Sequence, residues 1–262
     1  MLGKLMKYEF KATGRIFLPL FAALLFLAVV NRFLYTLRAS APSIIGTIVS
    51  VILIIGIAVL TFVLTLQRFQ KNLMSNEGYL MMTLPTRTDS LILSKMLVST
   101  IWIVASVILV TISIMIMAMS NFNIMDLVDF ISMVMDEFSI KSSQLAIYIV
   151  EFIVGVAFSV FSSVLMLYAC MALSMLVNKF RWLFAFGAYM AISTVMQILF
   201  VVFAIISDML NVGSLFQRFI DDMSIFGISQ VVILMMILAE VALCVIFYFV
   251  TRYMLKKRLN LQ

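Results

Sequence analysis

Residues 67–95 read QRFQKNLMSNEGYLMMTLPTRTDSLILSK. They form the longest polar interruption in a chain that is otherwise apolar. A hydrophobic run lies on either side, at 43–66 and 91–119. Runs of this length cross a bilayer as helices, because about 20 residues rising about 1.5 Å each match a hydrocarbon layer of about 30 Å. The stretch is therefore a loop between two membrane spans, and its Lys and Arg place it on the cytoplasmic side. Within it, Ser75 or Asn76 can cap a helix start, with Glu77 well placed in the first turn. Leu73, Tyr79, Leu80, Met81, Met82 and Leu84 are too apolar for a freely solvated loop. Pro85 stops the short helix, and Thr86-x-x-Asp89 signals the start of the next. The sequence thus predicts a short, partly apolar helix wedged between spans 2 and 3. From the residues alone it rests either on lipid or on a protein partner.

The whole composition agrees with a membrane chain. Of 262 residues, 65% are hydrophobic and 11% charged, and the mean hydropathy is +1.21. Soluble domains are about half apolar and about a quarter charged. The sequence predicts an all-α membrane protein that forms a single transmembrane domain over 1–262. Six spans are expected at about 16–37, 43–66, 91–119, 144–176, 182–206 and 228–253.

The first 15 residues, MLGKLMKYEFKATGR, are basic and amphipathic. Leu2, Leu5, Met6 and Phe10 share one helical face and Lys4, Lys7 and Lys11 the other. This reads as an interfacial helix ahead of span 1. The apolar run continues to Leu37 with no A-x-A-like cleavage site, so it reads as an uncleaved span with Pro19 in its first turn. Span 4, at 33 residues, is too long for the hydrocarbon layer. It either tilts and protrudes or is broken at Ser162–Ser163. Residues 120–143 and 207–226 carry Asp126, Asp129, Asp136, Glu137, Asp208, Asp221 and Asp222 opposite apolar positions at helical spacing. They read as short outer amphipathic helices. With the N-terminus inside, Lys4, Lys7, Lys11, Arg15, Arg68, Lys71, Arg87, Lys95, Lys179, Arg181, Arg252, Lys256, Lys257 and Arg258 are cytoplasmic. That is 14 of the 18 basic residues; Arg32, Arg38, Lys141 and Arg218 remain outside. Both termini are accordingly expected in the cytoplasm.

The residue inventory limits the chemistry. There is no His, which removes His bases and His metal ligands. No G-x-x-x-x-G-K-[ST] occurs, so the chain has no P-loop of its own. Cys170 and Cys244 sit inside apolar runs and read as small buried hydrophobes. No nucleophile–base pair or metal cluster is apparent, so the chain is not expected to be an enzyme. The net charge of +6 sits at span ends and does not indicate nucleic acid.

Inside the membrane, Glu240 lies near the middle of span 6 and Glu151 near the outer end of span 4. At the depth of Glu240 an ionisable group costs about 3 kcal/mol, which makes Glu240 a functional candidate by default. A hydrogen-bonded packing role is the alternative. Gln197 and Gln230 are candidate polar neighbours of Glu240. Gly155, Ser159 and Ser163 repeat at four-residue spacing and suit close helix packing. The 22 Met and 23 Phe either fill the core and face lipid or line a path for an apolar cargo. The scarcity of intramembrane charge argues against small ions and sugars as cargo.

The opening LGKLMKYEFKATGRIFLPL, together with NEGYLMMTLP and LILSK, resembles the permease subunits of ABC exporters with the type-2 membrane domain. The likeness is to the short permeases of Gram-positive bacteria, and the layout of six spans with a polar loop between spans 2 and 3 matches over the full length. In that family the loop carries a coupling helix that packs on a separate ATPase subunit. By position, Glu77, Gly78, Tyr79, Leu80, Leu84 and Pro85 are the coupling residues that the resemblance implies. It also implies a complex of two permeases, identical or different, and two ATPases in a bacterial cell membrane, with ATP and Mg bound by the ATPase partner and no cofactor in this chain. The expected function is ATP-driven export of hydrophobic or amphipathic peptides by alternating access. Export of lipids or hydrophobic drugs is the alternative within the class. Outside it stand a secondary transporter, which would need midplane polar sites and inverted repeats, and a non-enzymatic membrane scaffold.

Overall fold

The computed structural model describes residues 2–37, 40–74, 88–118, 125, 129, 132–133, 135, 141–177, 179–210 and 225–257. Among the described residues the chain is all-helical. The long helices are α1 (Leu2–Thr36), α2 (Ser40–Met74), α3 (Thr88–Ala118), α4 (Ser142–Leu173), α5 (Arg181–Met209) and α6 (Ile225–Lys257). All six are long and apolar enough to cross a membrane. They are apolar around most of their circumference, as expected where lipid or protein covers every face. The chain divides into two compact units, Met1–Ser139 and Ile140–Gln262.

In the first unit α1 and α3 pack most closely. The pairs Glu9–Lys95 and Thr13–Trp102 advance together along both helices, so the two run parallel. The pairs Glu9–Arg68 and Asn31–Thr47 show that α2 runs opposite to α1. The core is Phe17, Phe21, Leu24, Ile57, Val98 and Trp102, with Met6 and Phe10 packed against it. The residues expected as an interfacial helix and those of span 1 form one continuous helix, α1, of 35 residues. The apolar face of its first turns packs on protein. Pro19 consequently lies in the helix interior rather than in a first turn. The backbone bond that it forfeits is tolerated in membrane helices when neighbouring groups compensate.

Near the other end of α1, Gly46 of α2 makes a close approach. A Cβ built there would sit 2.7 Å from the side-chain amide of buried Asn31. That amide lies 3.0 Å from the Thr47 hydroxyl. Gly46→Ala is expected to lower stability by about 1–2 kcal/mol. The same change made in an Asn31→Ala background should be nearly neutral, a comparison read from unfolding midpoints in detergent.

In the second unit α4 and α6 pair most closely and also run parallel, as Tyr148–Ser229, Glu151–Gln230 and Ser162–Glu240 advance in step. The expected alternative of a break at Ser162–Ser163 does not occur. Both hydroxyls reach back to the Ser159 carbonyl, at 3.1 and 2.8 Å, and the helix continues to Leu173. A 3-10 turn, Ser174–Leu176, and the extended Val177 follow. Phe180, the residue before α5, is left-handed at φ 56. In α5 itself only Ala185 is buried.

Candidate functional site

The group in the first unit with the most chemistry is a charged node that the sequence reading missed. Glu9 is the only acid among the first 15 residues. At about 3.6 residues per turn it falls near Leu5, Met6 and Thr13, on the face of α1 that packs inward. One carboxylate oxygen accepts a hydrogen bond from Arg68 Nη1 at 2.9 Å, and the other accepts one from Lys95 Nζ at 2.5 Å. Arg68 belongs to the last turns of α2 and Lys95 to the second turn of α3. The Lys95 side chain is 3% exposed and that of Glu9 12%, so the node is largely withdrawn from solvent screening.

A second set of contacts lies one turn further along α1, at the aromatic core. The Thr13 hydroxyl donates to the Glu9 backbone carbonyl at 2.7 Å and accepts the indole N–H of Trp102, also at 2.7 Å. The Trp102 ring stacks on Phe17 with centroids 4.6 Å apart, and Phe10 and Phe21 flank it at 5.6 and 5.9 Å. Farther along, Thr61 and Ser106 meet at 3.3 Å between α2 and α3. The two helices that flank residues 75–87 are therefore both held to α1 by one carboxylate, and α3 is held again one turn and more beyond it by Trp102.

The residues singled out from sequence fare differently. Glu77, Gly78, Tyr79, Leu80, Leu84 and Pro85 lie outside the described residues, as do most of the two acidic segments. Asp89 stands in the first turn of α3, while Thr86, its partner in the capping pattern, lies outside the described residues. Glu151 and Glu240 both lie at the α4–α6 contact, but on separate partners. Gln230 donates to Glu151 at 3.0 Å. It does not reach Glu240, whose carboxylate instead meets the Ser162 hydroxyl. Gln197 is exposed. Of the four-residue stripe, Gly155 faces Ile237 of α6, whereas Ser159 and Ser163 are exposed; Ser162 is the serine that enters the contact. Cys244 meets the Phe158 carbonyl and Cys170 is buried, both as free thiols.

Comparison with protein-family models, with curated proteins and with solved structures returned no match. The helices themselves define the class: this is a multi-pass membrane protein, all-helical among the described residues.

Proposed function

We propose that the chain is the permease subunit of an ATP-driven exporter, and that residues 77–85 are where a separate ATPase subunit docks. The observation that carries this reading is Glu9 gripping Arg68 and Lys95 together. A docked partner pushing on the 75–87 segment pushes on the ends of α2 and α3. Because both ends are fixed to α1 by one half-buried carboxylate, all three helices must respond as a body. A loop that merely lay on lipid would not need its two legs joined in this way. The paucity of buried positions in α5 supports a second permease copy, since six spans then find part of their packing in another chain. Under this reading both termini and residues 67–95 are in the cytoplasm of a bacterial cell, and ATP with Mg is bound and hydrolysed by the ATPase. The cargo is a hydrophobic or amphipathic peptide, in keeping with a chain that holds 22 Met and 23 Phe; lipids or hydrophobic drugs are the second choice.

The test is to co-purify the chain with its ATPase and measure transport-coupled ATP hydrolysis. Glu77→Ala and Tyr79→Ala should each lower the coupled rate by about tenfold while the ATPase subunit alone is unaffected, a loss of about 1.4 kcal/mol of coupling. Unchanged coupled transport in both variants removes the docking role. A second reading, an ion-coupled secondary transporter, draws on Glu151 and Glu240, two intramembrane carboxylates whose hydrogen-bond partners here are neutral. Transport that follows an ion gradient without any ATPase would select it.

A further inference from the structure

One face of α1 changes character once along its length. Lys4, Lys7, Lys11 and Arg15 are exposed, and at about 3.6 residues per turn they fall within an arc of about 80°. The same side continues as Leu18, Ala22, Phe26, Val29 and Phe33, also exposed. The opposite face is spent on protein: Met6, Phe10, Phe17, Phe21 and Leu24 pack on or within the first unit's core. The apolar side of the first turns is thus not available to sink into a membrane. What it offers instead is a row of cations that lies in line with an unpartnered apolar row on the same helix.

We infer that Arg15 and Lys11, with help from Lys7, bind the phosphate headgroups of anionic lipids. The change from Arg15 to Leu18 marks the edge of the hydrocarbon layer on this face. The headgroup layer beyond it is about 5–8 Å thick. Arg15 stands at its inner edge, and Lys11 stands about 6 Å further out along the helix axis. Both side chains are long enough to lay their stems along the helix and set their charged ends among the phosphates. The Arg15 guanidinium can take two phosphate oxygens at once. Lys7 stands about 12 Å out and Lys4 about 16 Å out. They act through the diffuse layer, where attraction fades over about 8 Å at physiological salt. The attraction is therefore electrostatic, graded along the stripe, and directed at net-negative lipid.

The experiment uses the full chain in detergent, titrated with short-chain phosphatidylglycerol or phosphatidylcholine, with bound lipid counted by native mass spectrometry. Phosphatidylglycerol should bind about tenfold more tightly than phosphatidylcholine, and raising salt from about 50 to about 500 mM should remove most of that preference. The double variant Lys11→Gln/Arg15→Gln should lose about tenfold or more in phosphatidylglycerol affinity, Lys4→Gln no more than about threefold, and Lys11→Arg/Arg15→Lys should retain binding. Tryptophan emission, read in a Trp182→Phe background so that it reports on Trp102, checks that the variants keep the α1–α3 contact. Equal binding of the two lipids, a preference indifferent to salt, or wild-type affinity in the double glutamine variant overturns the inference. So does competition by inorganic phosphate at matched concentration, or stronger binding of polyglutamate than of phosphatidylglycerol. The first would mean a free-anion site and the second a protein contact. The salt arm needs no variant, so the inference stays testable even if a substitution prevents folding.

Discussion

Glu9→Ala is expected to lower the stability of the first unit by about 3 kcal/mol or more, measured as the unfolding free energy in detergent or mixed micelles. Removing the carboxylate leaves Lys95, with a side chain 3% exposed, as a buried ammonium that has lost its counter-ion, and it strips Arg68 Nη1 of its acceptor. The large cost comes from breaking the set on one side, not from any great net value of the intact ion pairs. The expected ranking follows from that. Glu9→Gln keeps an acceptor but not the charge and should cost less than Glu9→Ala. Adding Lys95→Met to Glu9→Gln should recover part of the loss, because an apolar side chain of similar length no longer needs a partner. If Glu9→Ala falls within about 0.5 kcal/mol of the parent, the node is a surface pair in function and carries nothing.

The same residue shows where sequence reasoning stops. The six helices are legible because their runs are apolar on nearly all sides, and a bilayer admits few other solutions. Their ends are less so. Hydropathy drops before Ile16, but no residue from Leu2 to Arg15 stops a helix, so α1 simply continues through the change. Pro19 reads as a start signal only if the helix begins beside it. In α4 the pair Ser162–Ser163 suggests a break, yet their hydroxyls reach back to the Ser159 carbonyl and leave the helix whole. The node itself joins positions 59 and 86 residues apart from Glu9, distances over which periodicity carries no information. One local sign exists. Glu9 is an acid on the apolar side of an otherwise basic helix, a placement that calls for a buried cation.

The two intramembrane glutamates teach a related point. Gln230 and Glu240 both lie on span 6, which suggests a pair, but ten residues of helix separate them by about 15 Å. The parallel course of α4 and α6 sets the pairing instead. It brings Glu151 level with Gln230 and Ser162 level with Glu240. A helix order in which the first and third members of a unit run side by side is a property of packing, and nothing in either segment announces it.

Trp102→Ala is the second large effect, expected at about 3–5 kcal/mol. Trp102 is 8% exposed and touches three phenylalanines of α1. In a membrane, lipid replaces water as the competing solvent, so the loss is mainly of dispersion contacts and of the cavity left between α1 and α3. Trp102→Phe separates the terms. It keeps most of the ring packing and removes only the N–H that Thr13 accepts, at a cost of about 1 kcal/mol. The informative measurement is the double variant Glu9→Ala/Trp102→Ala. Thr13 stands one turn along α1 from Glu9 and accepts the indole N–H; its own bond to the Glu9 backbone carbonyl survives Glu9→Ala, so any coupling between the two groups runs through the packing of α1. If the two losses fall short of additivity by about 1 kcal/mol or more, the node and the aromatic core form one mechanical element. A push at the start of α3 then reaches α1 through Lys95–Glu9 and through Trp102–Thr13 together, which is the linkage that the exporter reading requires. Strict additivity would leave α3 free to turn on Trp102 while the node holds, and force from the 75–87 segment would then stop at α3.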